Sequence, residues 1–221
     1  MNNKYESFNW DNFLQPYELA VEGFILKMEG IKKQYLVKGI HCPIEIVAGR
    51  VKTPASILNK AERMNVDISQ VHDVGGIRIT CKYLEDVYKV SKLLKARKDI
   101  KLIEERDYIK NVKPSGYRSL HLICRYNVET IEGQKPILLE FQIRTHAMHF
   151  WASIEHSIKY KYNKKIPQEI KERLVNASVV SAKLDMEMSA IHQAMLENDK
   201  NLDTEINYGD PMEKEVVFRK Y

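Results

Sequence analysis

Five side chains between residues 50 and 63 could together hold an anion. They are Arg50, Lys52, Ser56, Lys60 and Arg63, in GRVKTPASILNKAER. Ser56, Lys60 and Arg63 stand at i, i+4 and i+7, so they share one helical face. Lys52 lies just before the helix N-terminus, where free backbone N–H groups and the helix dipole also favour negative charge. That arrangement suits a polyphosphate, although a cationic stripe standing alone is more often plain solvated surface. Carboxylates follow further along the chain. Asp73 sits in HDVGGIR, just ahead of a strand whose glycines allow a tight entry, and Glu140 sits in LLEFQIRT. Two carboxylates aimed at a phosphate site are the usual way to hold Mg²⁺, with phosphate and water oxygens completing the octahedron. Spacing alone leaves two other readings open: Asp73 as a loop cap, and Glu140 as a salt-bridge partner of Arg144.

The strands that carry these residues have an unusual second face. In GIRITCK, Ile77, Ile79 and Cys81 alternate with Arg78, Thr80 and Lys82. In GYRSLHL, Leu120 and Leu122 alternate with Ser119 and His121. In LLEFQIRT, Leu139, Phe141 and Ile143 alternate with Glu140, Gln142 and Arg144. One such strand is ordinary surface. Three of them in one chain point to a cleft lined by a sheet. The turn Pro114-Ser115-Gly116 runs straight into an aromatic, Tyr117.

The elements that must position these groups can be read from periodicity. Phe13, Tyr17, Ala20, Phe24, Met28, Ile31 and Tyr35 predict a long first helix. A loop with Gly39 and Pro43 follows. Thr53 as N-cap and Pro54 at the first helical position then open the basic helix. Strands are expected at 76–84, in IKLIEERDYI, in GYRSLHLICRY and in PILLEFQIRT, with Glu132-Gly133 turning between the last two. Helices are expected at 84–97 and 146–162. A last long helix starts near Pro167, with Ile170, Leu174, Ala177, Ser181, Leu184, Met188, Ile191 and Met195 forming a heptad seam. That seam packs either on this protein's own sheet or first helix, or on another subunit. The sum is an α+β domain: a mixed central sheet of about five strands flanked by helices, with long helical arms at both ends. One domain spans residues 1–200, and a loosely held tail covers 201–221.

The bulk composition sets limits. The 221 residues are 44% hydrophobic and 29% charged, as in a soluble globular protein, and are ample for a real core. A net charge of +5 fits an anionic ligand without demanding a nucleic acid. The polar start MNNKYESFNW is no signal peptide, and no apolar run is long enough to span a membrane. Cys42, Cys81 and Cys124 are odd in number, far apart and free of any zinc-ligand spacing, so a reducing cytoplasm is expected.

The combination GRVK, ASIL.K, D.GGIRI, KPSGYRSLH and E.QIRT resembles the synthetase domain of the RelA/SpoT family. The motif match runs over about 43–162, and the flanking helices make the chain similar to the small RelQ-type alarmone synthetases. The resemblance implies a nucleotidyltransferase-like fold and a reaction of the stringent response. Pyrophosphate would pass from ATP to the 3′-hydroxyl of GDP or GTP, with GMP as a further acceptor, giving (p)ppGpp and AMP. It assigns Lys52, Ser56, Lys60 and Arg63 to the ATP phosphates, and Arg50 and Arg78 to the adenine. Asp73 and Glu140 would hold Mg²⁺, and Glu140 would also act as general base on the hydroxyl. Tyr117 would stack on guanine, with His121, Lys113, Arg106, Gln142 and His149 on the acceptor side. It further implies a homo-oligomer, a homotetramer in its nearest form, and single-stranded RNA as a further partner. Two positions depart from the family pattern. His149 stands where RelQ-type members carry asparagine, and Ile25 and Glu29 occupy two places where product-activated relatives carry basic residues.

Three other functions compete. Alarmone hydrolysis would need a metal site, and here only the dipeptide His72-Asp73 hints at one. A non-catalytic RNA-binding regulator would need stacking aromatics, and would have no use for Asp73 paired with Glu140. Transfer of a nucleotidyl group would release pyrophosphate instead of AMP.

Overall fold

The computed structural model describes residues 7–162 and 166–205. Helix α1, Trp10–Val37, is capped by Asn9, whose side chain accepts from the Asn12 N–H. Its inner face is the predicted one: Tyr17, Ala20, Phe24 and Met28 are buried. Strand β1, Ile46–Val51, leads to α2, Pro54–Met64, and then β2, Gly75–Cys81, and α3, Leu84–Lys95. Strands β3, Ile100–Asp107, β4, Leu120–Thr130, and β5, Gly133–Thr145, follow. Helices α4, His146–Lys161, and α5, Gln168–Glu205, complete the described chain. Thr53 stands at the cap of α2, but its hydroxyl donates to Ser56 Oγ at 2.9 Å and accepts no helix N–H. Among the described residues no helix is long and apolar enough to cross a membrane.

The sheet order is β1-β2-β5-β4-β3. Only β2 and β5 run parallel; the other neighbours are antiparallel. Ile77, Ile79, Leu139, Phe141, Ile143, Leu120 and Leu122 fill one face, and α1 and α3 cover it. Phe24 of α1 is fully buried and meets Phe141 and Tyr126 edge-on, with ring centroids 5.1 and 4.9 Å apart. α1 lies very close to β1: a Cβ on Gly49 would stand 2.2 Å from Val21 Cγ1. Gly133 has φ +95°, as the β4–β5 hairpin requires.

Three expectations need correction. β1 is a strand that the periodicity does not predict, since IVAGRV has no apolar alternation; it is mostly exposed. β4 begins at Leu120, so Tyr117, Arg118 and Ser119 belong to the loop before it. In α5 the heptad seam does not pack on the sheet or on α1. Only its start meets the domain, where Leu174 packs with Trp151 and Ala152 and Ile170 lies alongside. Leu184, Met188, Ile191 and Met195 are exposed. The face that α5 does bury is mostly polar: Ser178, Asp185, Ser189 and His192. Residues 201–205 of the expected tail are helical, and 206–221 lie outside the described residues.

Phe24→Ala is expected to destabilise the fold by about 3–5 kcal/mol, the usual cost of emptying a large aromatic site. Urea unfolding followed by circular dichroism checks it.

Candidate active site

Strand register decides which polar side chains meet. Residues paired across neighbouring strands point to the same face. Ala48, Arg78, Gln142, His121 and Arg106 pair in succession across the whole sheet, forming one row. The next row reads Arg50, Gly76, Glu140, Ile123 and Glu104. Six of the predicted site residues are thus brought onto one face by pairing alone.

At one end lies the basic helix. Lys52 and Lys60 both grip Asp73 Oδ2, at 2.8 and 2.7 Å. The Lys52 N–H also bonds the Val74 carbonyl, extending the β1–β2 ladder and fixing the lysine beside the loop. Lys52, Ser56, Lys60, Arg63 and Asp73 line one cavity of about 300 Å³, so the i, i+4, i+7 face is real. Burial opposes ionisation of Asp73, but hydrogen bonds from the two lysines outweigh it and hold its pKa below the ordinary carboxylate value. The other oxygen, Oδ1, is buried without a hydrogen-bond partner. Such an orphan acceptor is costly unless a ligand meets it. Arg50, Arg78 and Gln142 line a small neighbouring cleft.

Glu140 occupies the centre. It is 7% exposed, and Oε1 lies 2.9 Å from His121 Nδ1 while Oε2 accepts from Gln142 Nε2 at 2.7 Å. Burial works against its charge, but His121 and Gln142 more than offset this, and its pKa is lowered. Asp73 acts on it in the opposite sense, so the two carboxylates feel one another. Glu140 does not pair with Arg144, the alternative that spacing left open. Arg144 instead bonds Tyr117 Oη at 2.5 Å, Gln142 Oε1 at 2.8 Å and Ser119 Oγ at 3.2 Å.

On the far side, Tyr117 Oη lies 2.8 Å from His121 Nε2. Lys113 Nζ stands 5.0 Å from the Tyr117 ring centroid and 4.1 Å from that of Tyr108. Arg106 is held in a fork by Glu104, at 2.6 and 2.7 Å. His149 faces the charges of Arg78 and Arg144. Arg118 does not join this group. From the loop ahead of β4 it turns away from the cleft and is buried against Asp185 of α5. Sequence reasoning missed Tyr108, and placed Arg144 on the cleft face without giving it a role in the site. Arg144 was legible from its alternation with Glu140 and Gln142; Tyr108 carried no such signal. A cavity of about 1210 Å³ lies between α4, the start of α5 and Pro114-Ser115. Arg63 lines both it and the lysine–aspartate cavity.

A mixed sheet whose polar face gathers two carboxylates, paired lysines and arginines is a fold for phosphate-group chemistry. The family described as the region found in RelA/SpoT proteins matches residues 49–165, and the chain belongs to it. The GTP pyrophosphokinase YjbM of Bacillus subtilis (strain 168) is 48% identical over 185 residues, covering 82% of this chain and 88% of that protein. The crystal structure of small alarmone synthetase 1 from Bacillus subtilis bound to its product pppGpp superposes with a TM-score of 0.82 at 47% identity, covering 84% of this chain and 97% of that one. The same synthetase bound to AMPCPP gives 0.76 at 42% identity, covering 85% and 98%.

Burial lowers the pKa of His149, and the charges of Arg78, Arg144 and His146 lower it further. A base whose folded pKa is depressed favours the neutral form in the fold. Its contribution to stability is present above the unfolded value of about 6.5 and is lost as pH falls through the folded value. His149 is therefore expected to be neutral at pH 7 and to titrate below 6.5 by NMR. Arg78→Ala should move that titration upward.

Proposed function

We propose that this protein is a (p)ppGpp synthetase of the stringent response. It transfers the β,γ-pyrophosphate of ATP to the 3′-hydroxyl of GDP or GTP, with GMP as a third acceptor, and releases AMP. The observation that carries this reading is the position of Glu140. An ionised carboxylate stands on one sheet face, coupled to the lysine–aspartate cavity on one side and to His121 and Tyr117 on the other.

In the reaction the 3′-oxygen attacks the β-phosphorus, the bond from that phosphorus to the oxygen it shares with the α-phosphate breaks, and AMP leaves with that oxygen. The hydroxyl proton passes to Glu140, which lies within a buried network that keeps it charged. Lys52, Lys60, Ser56 and Arg63 neutralise the triphosphate, and Arg50 and Arg78 offer planar guanidinium groups to the adenine. Tyr117 stacks on the guanine, while His121, Lys113, Arg106, Gln142 and His149 orient the acceptor. Asp73 and Glu140 suit Mg²⁺, since Asp73 Oδ1 is buried and unpartnered. The ion would neutralise charge on the phosphates.

The reducing cytoplasm is the compartment that three free cysteines fit, two of them buried. Self-association, as a homotetramer, is supported by the exposed Leu184, Met188, Ile191 and Met195 of α5. Light scattering after size exclusion tests it: a mass four times that of the chain is expected, and Ile191→Glu should lower it.

The reaction is tested with γ-labelled ATP, Mg²⁺ and each guanine nucleotide in turn. Label should pass to the guanine nucleotide with AMP formed in equal amount. Glu140→Gln should slow this by about 10²–10⁴-fold, the span of general-base catalysis. Binding of RNA without transfer of label in any tube would overturn the proposal.

A further inference from the structure

The loop that carries Tyr117 is not held by the sheet alone. Its backbone closes on itself, with the Gly116 N–H bonded to the Lys113 carbonyl at 2.8 Å and the Lys113 N–H to the Tyr117 carbonyl at 3.3 Å. Gly116 adopts φ +88°, in the left-handed region that glycine tolerates best. Here α5 comes in from the far end of the chain. Ser178 Oγ donates to the Gly116 carbonyl, and both residues are buried. The approach is so close that a Cβ on Gly116 would stand 2.7 Å from Ser178 Cβ and 3.3 Å from the Trp151 ring. One turn above Ser178 the helix presents the half-buried Ser181 and Ala182, and one turn above those Asp185, which is 4% exposed.

Asp185 faces Arg118, the residue after Tyr117, with Nη1 and Oδ2 3.4 Å apart. It also takes a hydrogen bond from Thr145, the last residue of β5 and the neighbour of Arg144. Thr145 Oγ1 in turn accepts the Met148 N–H and so caps α4. One carboxylate therefore ties together the two chain segments whose next residues, Tyr117 and Arg144, bond each other in the cleft. A third tie runs from Trp151 Nε1 to the Leu174 carbonyl at 2.8 Å. A helix docked only for its apolar area would not need these groups. Its buried face would be leucine and methionine, and α5 instead exposes that seam and buries the polar one.

We infer that Ser178 and Asp185 are positioning residues for the acceptor nucleotide, acting through Gly116 and Arg118 to set the place of the Tyr117 ring. The inference rests on the reading of Tyr117 as the guanine platform. Neither residue touches the lysine–aspartate cavity. Their loss should therefore weaken the acceptor and spare ATP.

The test is steady-state kinetics of the full chain with Ser178→Ala and Asp185→Asn, varying GDP and ATP separately. Ser189→Ala is the control. It removes a contact of the same polar stripe, to the Leu84 N–H at 3.1 Å, that does not reach the loop. Ser178→Ala should raise KM for GDP about tenfold and leave KM for ATP within about twofold, a loss of the size expected when one buried hydrogen bond is removed. Asp185→Asn should do the same or more. Ser189→Ala should change neither. Unchanged KM for GDP in Ser178→Ala would overturn the inference. So would equal rises for both substrates, or the same effect from Ser189→Ala, because either marks α5 as scaffold only. If Asp185→Asn fails to fold, Ser178→Ala still decides. Failure of the underlying reading would look different: the wild-type chain would move no label to GDP at all.

Discussion

The parallel pairing of β2 with β5 is the constraint on which the rest depends. It sets Gly76 beside Glu140 and Arg78 beside Gln142, and the antiparallel neighbours extend those pairs into two rows. A slip of one residue would send every one of these side chains to the opposite face. It would bury Arg78, Glu140 and Arg144 under α1 and α3 and expose Ile77, Phe141 and Ile143. The apolar face thus holds the polar one in register. Phe24 and its contacts with Phe141 and Tyr126 lie on the opposite face of the sheet from Glu140, yet they help decide where Glu140 points.

The polar face meets the cost of its own burial by internal pairing. Two lysines share Asp73, His121 and Gln142 share Glu140, and Arg144 spans Tyr117, Gln142 and Ser119. Such a network is worth more than isolated pairs, because each buried group would otherwise stand unsatisfied. Asp73 Oδ1, Arg78 Nε and His149 Nδ1 break the pattern: all three are buried without a hydrogen-bond partner, and such orphan groups are costly unless a ligand meets them.

Much of this was legible in the sequence. The apolar alternation of GIRITC and LLEFQI located β2 and β5, and the polar members of the same runs named most of the cleft. The i, i+4, i+7 spacing of Ser56, Lys60 and Arg63 survived as a cavity wall. What failed, failed for physical reasons. β1 is an exposed edge strand with a glycine at its closest approach to α1, so it lacks the hydrophobic signature of a strand. Arg118 stands between two residues of the cleft in sequence, but in the loop ahead of β4 it turns the other way, to Asp185. The buried stripe of α5 was hidden because it is made of serine, aspartate and histidine, which no hydrophobic period reports.

The grip of Lys52 and Lys60 on Asp73 also bears on the tempo of nucleotide capture. Long-range attraction follows the net field of a cleft and not its number of cations, and here a carboxylate cancels part of that field in advance. On the proposed reading, an arriving polyphosphate would meet a field reduced by one charge, and on contact would have to take the lysines from Asp73. When it leaves, the old pairs re-form and return part of the energy of separation. A pocket built this way would release a bound polyphosphate more readily than one whose lysines stood unpaired.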